Sequence, residues 1–263
     1  MKYALVNNQR VEAEKGLKAI CPCCGNPVTA KCGEVRKKHW AHIKTSHCDK
    51  WWESETLWHR TWKNLFPSDW QEIISYDEQS GEKHIADIKT PKGMVVEFQH
   101  SYIKPEECHS REMFYKDMVW VVDGKRLQRD YKRFIKAFQD GEVHQIQNRP
   151  VFLIDFPEEH LPNNWLNSSK PVFIDFNEIQ EAKEFIDTNR FMPCILPSRD
   201  KSKAVIFLFS RNEFIEKIRS GGFNFNYKVI DDWITTDLNH RRPITIPSIY
   251  IRPYRLYRRN IRL

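Results

Sequence analysis

Hydrophobic residues recur at a helical period in the first third of the chain. Between residues 53 and 66 they return every three or four positions, through Leu57, Trp58 and Trp62. This spacing predicts a helix that buries one face, and Pro67 is expected to end it.

The segments that follow change to the pattern of short strands separated by turns. Three strands are predicted first, at Gln71–Tyr76, 84–89 and 94–99. Residues 105–115 are expected to be helical, because Pro105 suits a first helical turn. The continuous apolar run at 118–122 predicts a fully buried strand. Together these elements indicate an α/β fold built on a mixed sheet.

The second half of the chain has further elements but no motif that identifies chemistry. Strands are predicted at 151–156, 171–176 and 204–209, and helices at 178–188 and 211–220. We therefore divide the chain into a module at 1–50, a core at 51–150 and an α/β or α+β region at 151–263.

The composition is that of a globular protein, with 40% hydrophobic and 29% charged residues. We find no apolar run long enough for a membrane span or a secretory signal, and expect a cytoplasmic protein without a membrane partner. The net charge of +7 suits a polyanionic partner. The tail interleaves tyrosines with Arg255, Arg258 and Arg259, which could contact nucleic acid or simply be a solvated basic end.

Cysteines are concentrated near the N-terminus, where five of the seven lie between positions 21 and 48. Such clustering in a reducing compartment favours a metal site over disulfides. We predict structural zinc with the ligands Cys21, Cys24, His39 and His42, while Cys32, His47 or Cys48 could replace one histidine. Cys108 and Cys194 stand alone and are expected to be small buried residues.

Two carboxylates fall on neighbouring predicted strands. If these strands are antiparallel, Asp87 lies near Glu97, and alternation places Gln99 on the same face as Glu97. Oxygen ligands of this kind suit Mg²⁺ or Mn²⁺, which can polarise a phosphodiester and activate water.

An ordered set of motifs between about residues 20 and 125 resembles the CoiA-like nucleases of the PD-(D/E)XK superfamily. The motifs are Cys-Pro-x-Cys-Gly at 21–25, His-Trp-Ala-His at 39–42, the helix at 55–63, His-Ile-Ala-Asp at 84–87, Glu-Phe-Gln-His-Ser at 97–101 and Arg-Glu-Met-Phe-Tyr at 111–115. The resemblance implies a restriction-endonuclease-like core, preceded by a small zinc-ribbon-like module, that hydrolyses DNA with a divalent metal.

The resemblance also assigns roles to individual residues. Asp87 and Glu97 would be the metal ligands, and Glu55, or alternatively Glu53, the acidic residue of the first core helix. His59 and His84 would contact phosphate or water. Gln99 occupies the position of the family's lysine and brings only a dipole, so Lys104 or Arg111 is expected to supply the charge and to contact nucleic acid.

Three functions remain open at this point. The first is a nuclease acting in DNA uptake, recombination or defence against foreign DNA. The second is a DNA-binding protein without turnover, which the glutamine at position 99 favours. The third is an interaction subunit whose C-terminal half binds a partner protein, and that half could also form a homodimer.

Overall fold

The computed structural model describes residues 1–34, 37–44, 48–78, 80–146, 149–176, 187, 190–200, 203–223, 225, 230, 232 and 243. Its strands are β1 (Tyr3–Val6), β2 (Gln9–Glu12), β3 (Lys18–Ile20), β4 (Pro27–Lys31), β5 (His39–His42), β6 (Gln71–Tyr76), β7 (Lys83–Lys89), β8 (Val95–Gln99), β9 (Met118–Asp123), β10 (Glu142–Ile146), β11 (Arg149–Ile154), β12 (Val172–Asp175), β13 (Phe191–Asp200) and β14 (Lys203–Ser210). Its helices are α1 (Leu57–Lys63), α2 (Pro105–Phe114), α3 (Gln128–Asp140), α4 (Pro157–His160), α5 (Asn163–Leu166) and α6 (Arg211–Arg219).

The N-terminal module is a small antiparallel sheet in the order β2-β1-β3-β4-β5. Its core is centred on Trp40, which is fully buried and donates its indole N–H to the Val11 carbonyl at 2.9 Å. Ala4, Ala19 and Val28 complete this core with small side chains. So few apolar groups bury little area, which agrees with the expectation that the module needs another source of stability.

The second sheet runs in the order β10-β11-β14-β13-β12-β9-β8-β7-β6 through the described part of the chain. β9 pairs in parallel with β8 and β12, while the other recorded pairs are antiparallel, so the predicted mixed α/β sheet is confirmed. All five residues of β8 and all six of β9 are buried, and the apolar run at 118–122 predicts this for β9.

Helices cover both faces of this sheet. Met118, Trp120 and Val122 of β9 point into the core on the α3 side, and Val119 and Val121 point into the core that α1 and α6 cover. Within the described residues we found no helix with the length and apolarity that crossing a bilayer requires.

Most predicted elements lie where the sequence places them. The strand Gln71–Tyr76 has the predicted bounds, and α2 and α6 each end one residue earlier than predicted. The prediction that Leu57 is buried is wrong, since it is 62% exposed. The predicted helix at 178–188 lies outside the described residues, apart from Asp187. Strands β11 to β14 continue the same sheet beyond residue 150, while the proposed domain boundaries stay predictions.

One glutamate joins the module to the core sheet. The carboxylate of Glu72, on β6, accepts hydrogen bonds from the backbone amides of Lys2 at 2.7 Å and Tyr3 at 3.0 Å. The backbone of Glu72 is left-handed at φ +49°, which is strained for a residue with a side chain. These two bonds fix β1 against the edge of the core sheet, so the Cys- and His-bearing module is held beside the carboxylates of β7 and β8.

Candidate active site

Asp87 and Glu97 face each other across β7 and β8, as the turn between the strands predicts. The register that pairs Ile88 with Val96 places them opposite each other, and the recorded pairing stops just before them. The amide of Asp87 donates to Glu97 Oε1 at 3.2 Å, and the amide of Phe98 donates to Asp87 Oδ2 at 3.0 Å. Side chains thus take over the hydrogen bonding where the two strands stop pairing.

Glu97 is buried and bound to an arginine from α2. Arg111 NH1 lies 3.1 Å from Glu97 Oε2, and Arg111 is itself buried against the Trp51 carbonyl and Glu107. Burial first and the charge of Asp87 second raise the pKa of Glu97 to about 8, while Arg111 opposes them. A buried carboxylate beside a second carboxylate is stabilised by added positive charge.

The cation nearest Asp87 is Lys63, from the last turn of α1. Its buried ammonium lies 3.2 Å from Asp87 Oδ1, 2.9 Å from Glu55 Oε1 and 3.2 Å from Glu72 Oε1. Burial alone would lower the pKa of Lys63, but Glu72, Asp87 and Glu55 together raise that pKa well above its ordinary value. Lys63 therefore stays charged beside the carboxylates.

These groups surround a small cavity of about 80 Å³, which we call the carboxylate cavity. Its wall includes Asp87, Glu97, Lys63 and Arg111 together with Glu53, Glu55 and His59. The structure thus brings together most of the residues that the resemblance assigned to catalysis. Sequence reasoning missed Lys63, for which the only signal was its helical spacing of one turn from His59.

Glu53 and Glu55 both reach the carboxylate cavity, although sequence reasoning treated them as alternatives. The premise that they lie in a helix is wrong, because α1 begins at Leu57 and Thr56 is its N-cap. In the segment before the helix, Glu55 contacts Lys63 and Arg60, while Glu53 Oε1 accepts from the amide of Ser101 at 2.5 Å. Burial opposes ionisation of Glu53, but bonds from His59 and Ser101 lower its pKa to about 2.

His59 is buried with both ring nitrogens in hydrogen bonds. The amide of Thr56 donates to Nδ1 at 3.1 Å, so Nδ1 carries no proton. Nε2 then carries the proton and donates to the Phe98 carbonyl, 3.1 Å away. The ring thus joins the start of α1 to β8, which suits it to positioning the strand.

His84 and Gln99 do not line the carboxylate cavity. His84 lies three residues from Asp87 on β7, so alternation turns it to the opposite face, where it stacks on Trp51 and donates from Nδ1 to Asp49 at 2.8 Å. The side chain of Gln99 is directed towards Ser101, two residues further along the chain, and its Nε2 donates to the Ser101 carbonyl at 3.0 Å. It lines a neighbouring cavity instead.

Asp49 is a buried residue that sequence reasoning missed. It accepts from the His84 ring and from the amides of Trp51 and Ile85, at 2.8 to 2.9 Å. Burial works against its ionisation, but these bonds hold the pKa of Asp49 below its ordinary value. Asp49 lines the carboxylate cavity and directly follows Cys48, so it connects the module to the site.

Three cysteines and one histidine come together in the module. Cys21, Cys24, His42 and Cys48 offer ligand atoms that all lie within 4.8 Å of one another, and we call them the Cys₃His cluster. Among the described residues this is the group gathered closely enough to hold a metal ion. Gly25, at φ +72°, lets the chain turn so that Cys21 and Cys24 face the same point.

Cys48 takes the place in the cluster that sequence reasoning gave first to His39. His39 and His42 are three residues apart on β5, so they point to opposite faces of the strand. The ring of His39 donates instead to the Lys37 carbonyl at 2.8 Å. Cys32 lies apart with its thiol near the Ala13 carbonyl, and His47 lies outside the described residues.

The remaining predicted residues do not form one site in the described part of the chain. Lys104 is exposed before α2, whereas Arg111 is only 5% exposed and belongs to the carboxylate cavity. Arg255, Arg258 and Arg259 lie outside the described residues. Cys108 and Cys194 are buried, as predicted.

Two family models match the chain, and together they cover more than half of it. Residues 5–50 match the model described as the N-terminal domain of competence protein CoiA. Residues 82–192 match the nuclease-like domain of competence protein CoiA. Comparisons with curated proteins and with solved structures gave no match. The two matches occur in the order of the Cys₃His module and the sheet that carries Asp87 and Glu97, and the chain belongs to the CoiA family of competence proteins.

Proposed function

We propose that this protein is a metal-dependent DNA nuclease whose active site is the carboxylate cavity. The observation that carries the proposal is the pair Asp87 and Glu97, which face each other from adjacent strands in a cavity that also holds Lys63 and Arg111. The match to a nuclease-like domain supports this assignment over other uses of a carboxylate pair.

The donor set of the cavity suits a hard divalent cation such as Mg²⁺ or Mn²⁺. Asp87 and Glu97 would hold it through carboxylate oxygens, which such ions prefer. Glu97 fits this role because its pKa of about 8 reflects a buried site with excess negative charge. When bound, the ion would polarise a phosphodiester oxygen and make a bound water more acidic.

Lys63 provides the positive charge that Gln99 lacks. The Lys63 ammonium contacts Asp87 directly, whereas Gln99 turns towards Ser101. A charged donor that is already in place stabilises the negative charge that builds on a phosphate during hydrolysis. We assign Lys63 to this role and Arg111 to holding Glu97, with which it forms a buried ion pair.

Glu55, Glu53 and His59 act as positioning residues. Glu55 pairs with Lys63 and fixes the direction of its side chain. Glu53 and His59 bind the backbone of β8 and the residues just after it, at Phe98 and Ser101. Together they hold Glu97 at a fixed distance from α1.

The Cys₃His cluster is proposed to bind one structural Zn²⁺. Three thiolates and one imidazole are a common tetrahedral zinc set, and the four side chains leave no ligand position for a substrate. Because Cys48 precedes Asp49, the metal would also fix the segment that lines the carboxylate cavity.

The biological setting follows from the family, and we propose DNA uptake or recombination during competence, in the cytoplasm. A DNA-binding protein without turnover is the second candidate. It is favoured by the glutamine at position 99 and by the ion pairs that already occupy Asp87 and Glu97.

Cleavage assays distinguish these two functions. Wild type and the Asp87→Ala/Glu97→Ala variant would be incubated with linear and circular DNA in Mg²⁺, Mn²⁺ or EDTA. If the protein is a nuclease, wild type cuts DNA only when a divalent metal is present, and the variant does not cut. Cutting of circular DNA shows endonuclease activity. If both proteins bind DNA and neither cuts it, the second candidate, a DNA-binding protein without turnover, is supported instead.

A further inference from the structure

Two further cavities adjoin the carboxylate cavity near the end of β8. Trp52, Glu53 and Arg111 line both the carboxylate cavity and a second cavity of about 350 Å³. His100 and Tyr102 line both this second cavity and a third of about 380 Å³. The shared lining residues make the three cavities neighbours, and we call the three together the groove.

Two exposed aromatic side chains stand where these cavities meet. Trp52 is 47% exposed at the junction of the carboxylate cavity with the second cavity. Tyr102 is 68% exposed at the junction of the second cavity with the third. Large aromatic rings at the surface of a polar groove provide flat faces on which unpaired bases can stack.

The third cavity adds a positive group to the groove. Arg126 is exposed there and donates to the His100 carbonyl at 3.1 Å. The ring of His100 donates from Nδ1 to the buried Asp123 at 2.7 Å. This bond holds the imidazole in place in the cavity wall. An anchored guanidinium is well suited to a backbone phosphate.

We propose that this groove binds one unpaired strand of DNA, with bases stacked on Trp52 and Tyr102 and a phosphate at Arg126. The inference rests on the proposed nuclease function and names its substrate class. In a paired duplex only a terminal base pair exposes a face, so the two rings could not both stack on bases of one end without unpairing it. The phosphate nearest Trp52 then lies at the carboxylate cavity.

The test measures binding without cleavage, by fluorescence anisotropy of a labelled single-stranded oligonucleotide and of its duplex, in buffer without Mg²⁺, Mn²⁺ or chelator. Wild type is expected to bind the single strand at least about tenfold more tightly than the duplex. The Trp52→Ala/Tyr102→Ala variant should lose about tenfold or more of its single-strand affinity, because both stacking surfaces are removed. Trp52→Phe/Tyr102→Phe should retain most of the single-strand affinity, since each position keeps an aromatic ring.

Tyr76→Ala is the matched control, because Tyr76 is 63% exposed on β6 and lines none of the three cavities. It should bind like wild type. Equal affinity for both forms of DNA, or unchanged single-strand binding by the double alanine variant, would overturn the groove assignment. If metal-dependent cleavage persists in that case, the nuclease proposal stands alone. Specific single-strand binding without any cleavage would overturn the nuclease proposal and support the groove as a DNA-binding site.

Discussion

The Lys63 ammonium lies 3.2 Å from Asp87 Oδ1 and joins the first core helix to the strand that carries the candidate metal ligand. The same ammonium contacts Glu55 and Glu72, so one buried cation forms ion pairs with three carboxylates. This relationship makes Lys63 important for stability and, on the proposed mechanism, for catalysis.

Removal of Lys63 is expected to abolish cleavage in a protein that still folds. Lys63→Gln alone removes a buried cation that contacts three carboxylates, and breaking a buried ion pair costs about 3–5 kcal/mol. The comparison therefore uses Lys63→Gln/Glu72→Gln against Glu72→Gln, since the double variant removes one charge of each sign. We expect the double variant to cleave at least about a hundredfold more slowly than the single variant. Equal rates in two folded variants would show that Lys63 has no catalytic role.

Glu72 should make the stability of the protein depend on acid pH. Burial opposes its ionisation, but Lys63, the N-terminus and the amides of Lys2 and Tyr3 lower its pKa to about 2, from an ordinary value of 4.5. Because the folded pKa is lower, the stabilisation is fully present above pH 4.5 and is lost as the pH falls towards 2. At about 1.4 kcal/mol per pKa unit, it is on the order of 3 kcal/mol.

Glu72→Gln should therefore be less stable than wild type at pH 7, and the difference should vanish near pH 2. Urea unfolding at a series of pH values measures this directly. Glu14→Gln, at an exposed position in the module, is the control and should follow wild type. A difference for Glu72→Gln that stays constant with pH would mean that the lost contribution is not ionic.

The purified protein should contain one zinc ion per chain, bound by the Cys₃His cluster. His42→Ala and Cys48→Ser should lose the metal, whereas His39→Ala should retain it because His39 points to the other face of β5. Elemental analysis gives the metal content, and thermal unfolding with and without a chelator gives its effect on stability. Loss of zinc from His39→Ala with retention in Cys48→Ser would restore the ligand set first predicted from the sequence.

Trp62 should stabilise the fold through its indole N–H as well as its ring. Trp62 Nε1 donates to the buried carboxylate of Asp175 at 2.8 Å, and Trp58 Nε1 donates to the same oxygen at 2.9 Å. Trp62→Phe keeps an aromatic ring but leaves this bond unmade, which should cost about 1–3 kcal/mol. Trp70→Phe, at a partly buried indole on the same core, provides the comparison. Equal losses of unfolding free energy in the two variants would exclude a special role for the bond to Asp175.

Sequence periodicity predicted the central sheet well and the outer elements poorly. β9 is a continuous apolar run that no alternative structure explains as well, and β8 begins with the β-branched Val95 and Val96. The strands of the module have three to five residues, too few to show a period. β13 was missed because it contains Pro193 and Pro197, which normally indicate a turn or an edge strand.

The sequence predicted only the part of the candidate site that lies on one hairpin, formed by β7 and β8. The register of β7 and β8 brings Asp87 to Glu97, and both lie close together in the sequence. Lys63 and Asp49 reach the site from α1 and from the end of the module, and no local pattern predicts that tertiary arrangement. His39 was predicted as a ligand from spacing alone, without the alternation that a strand imposes.

The most direct test of the central claim is the single-turnover cleavage rate of Asp87→Asn in Mg²⁺ or Mn²⁺, compared with wild type at saturating single-stranded DNA. Asparagine keeps the size of the side chain and removes only its charge. We predict a loss of at least about a hundredfold in rate, with DNA affinity unchanged when it is measured without Mg²⁺ or Mn²⁺. A rate equal to that of wild type would contradict the assignment of the carboxylate cavity as the active site.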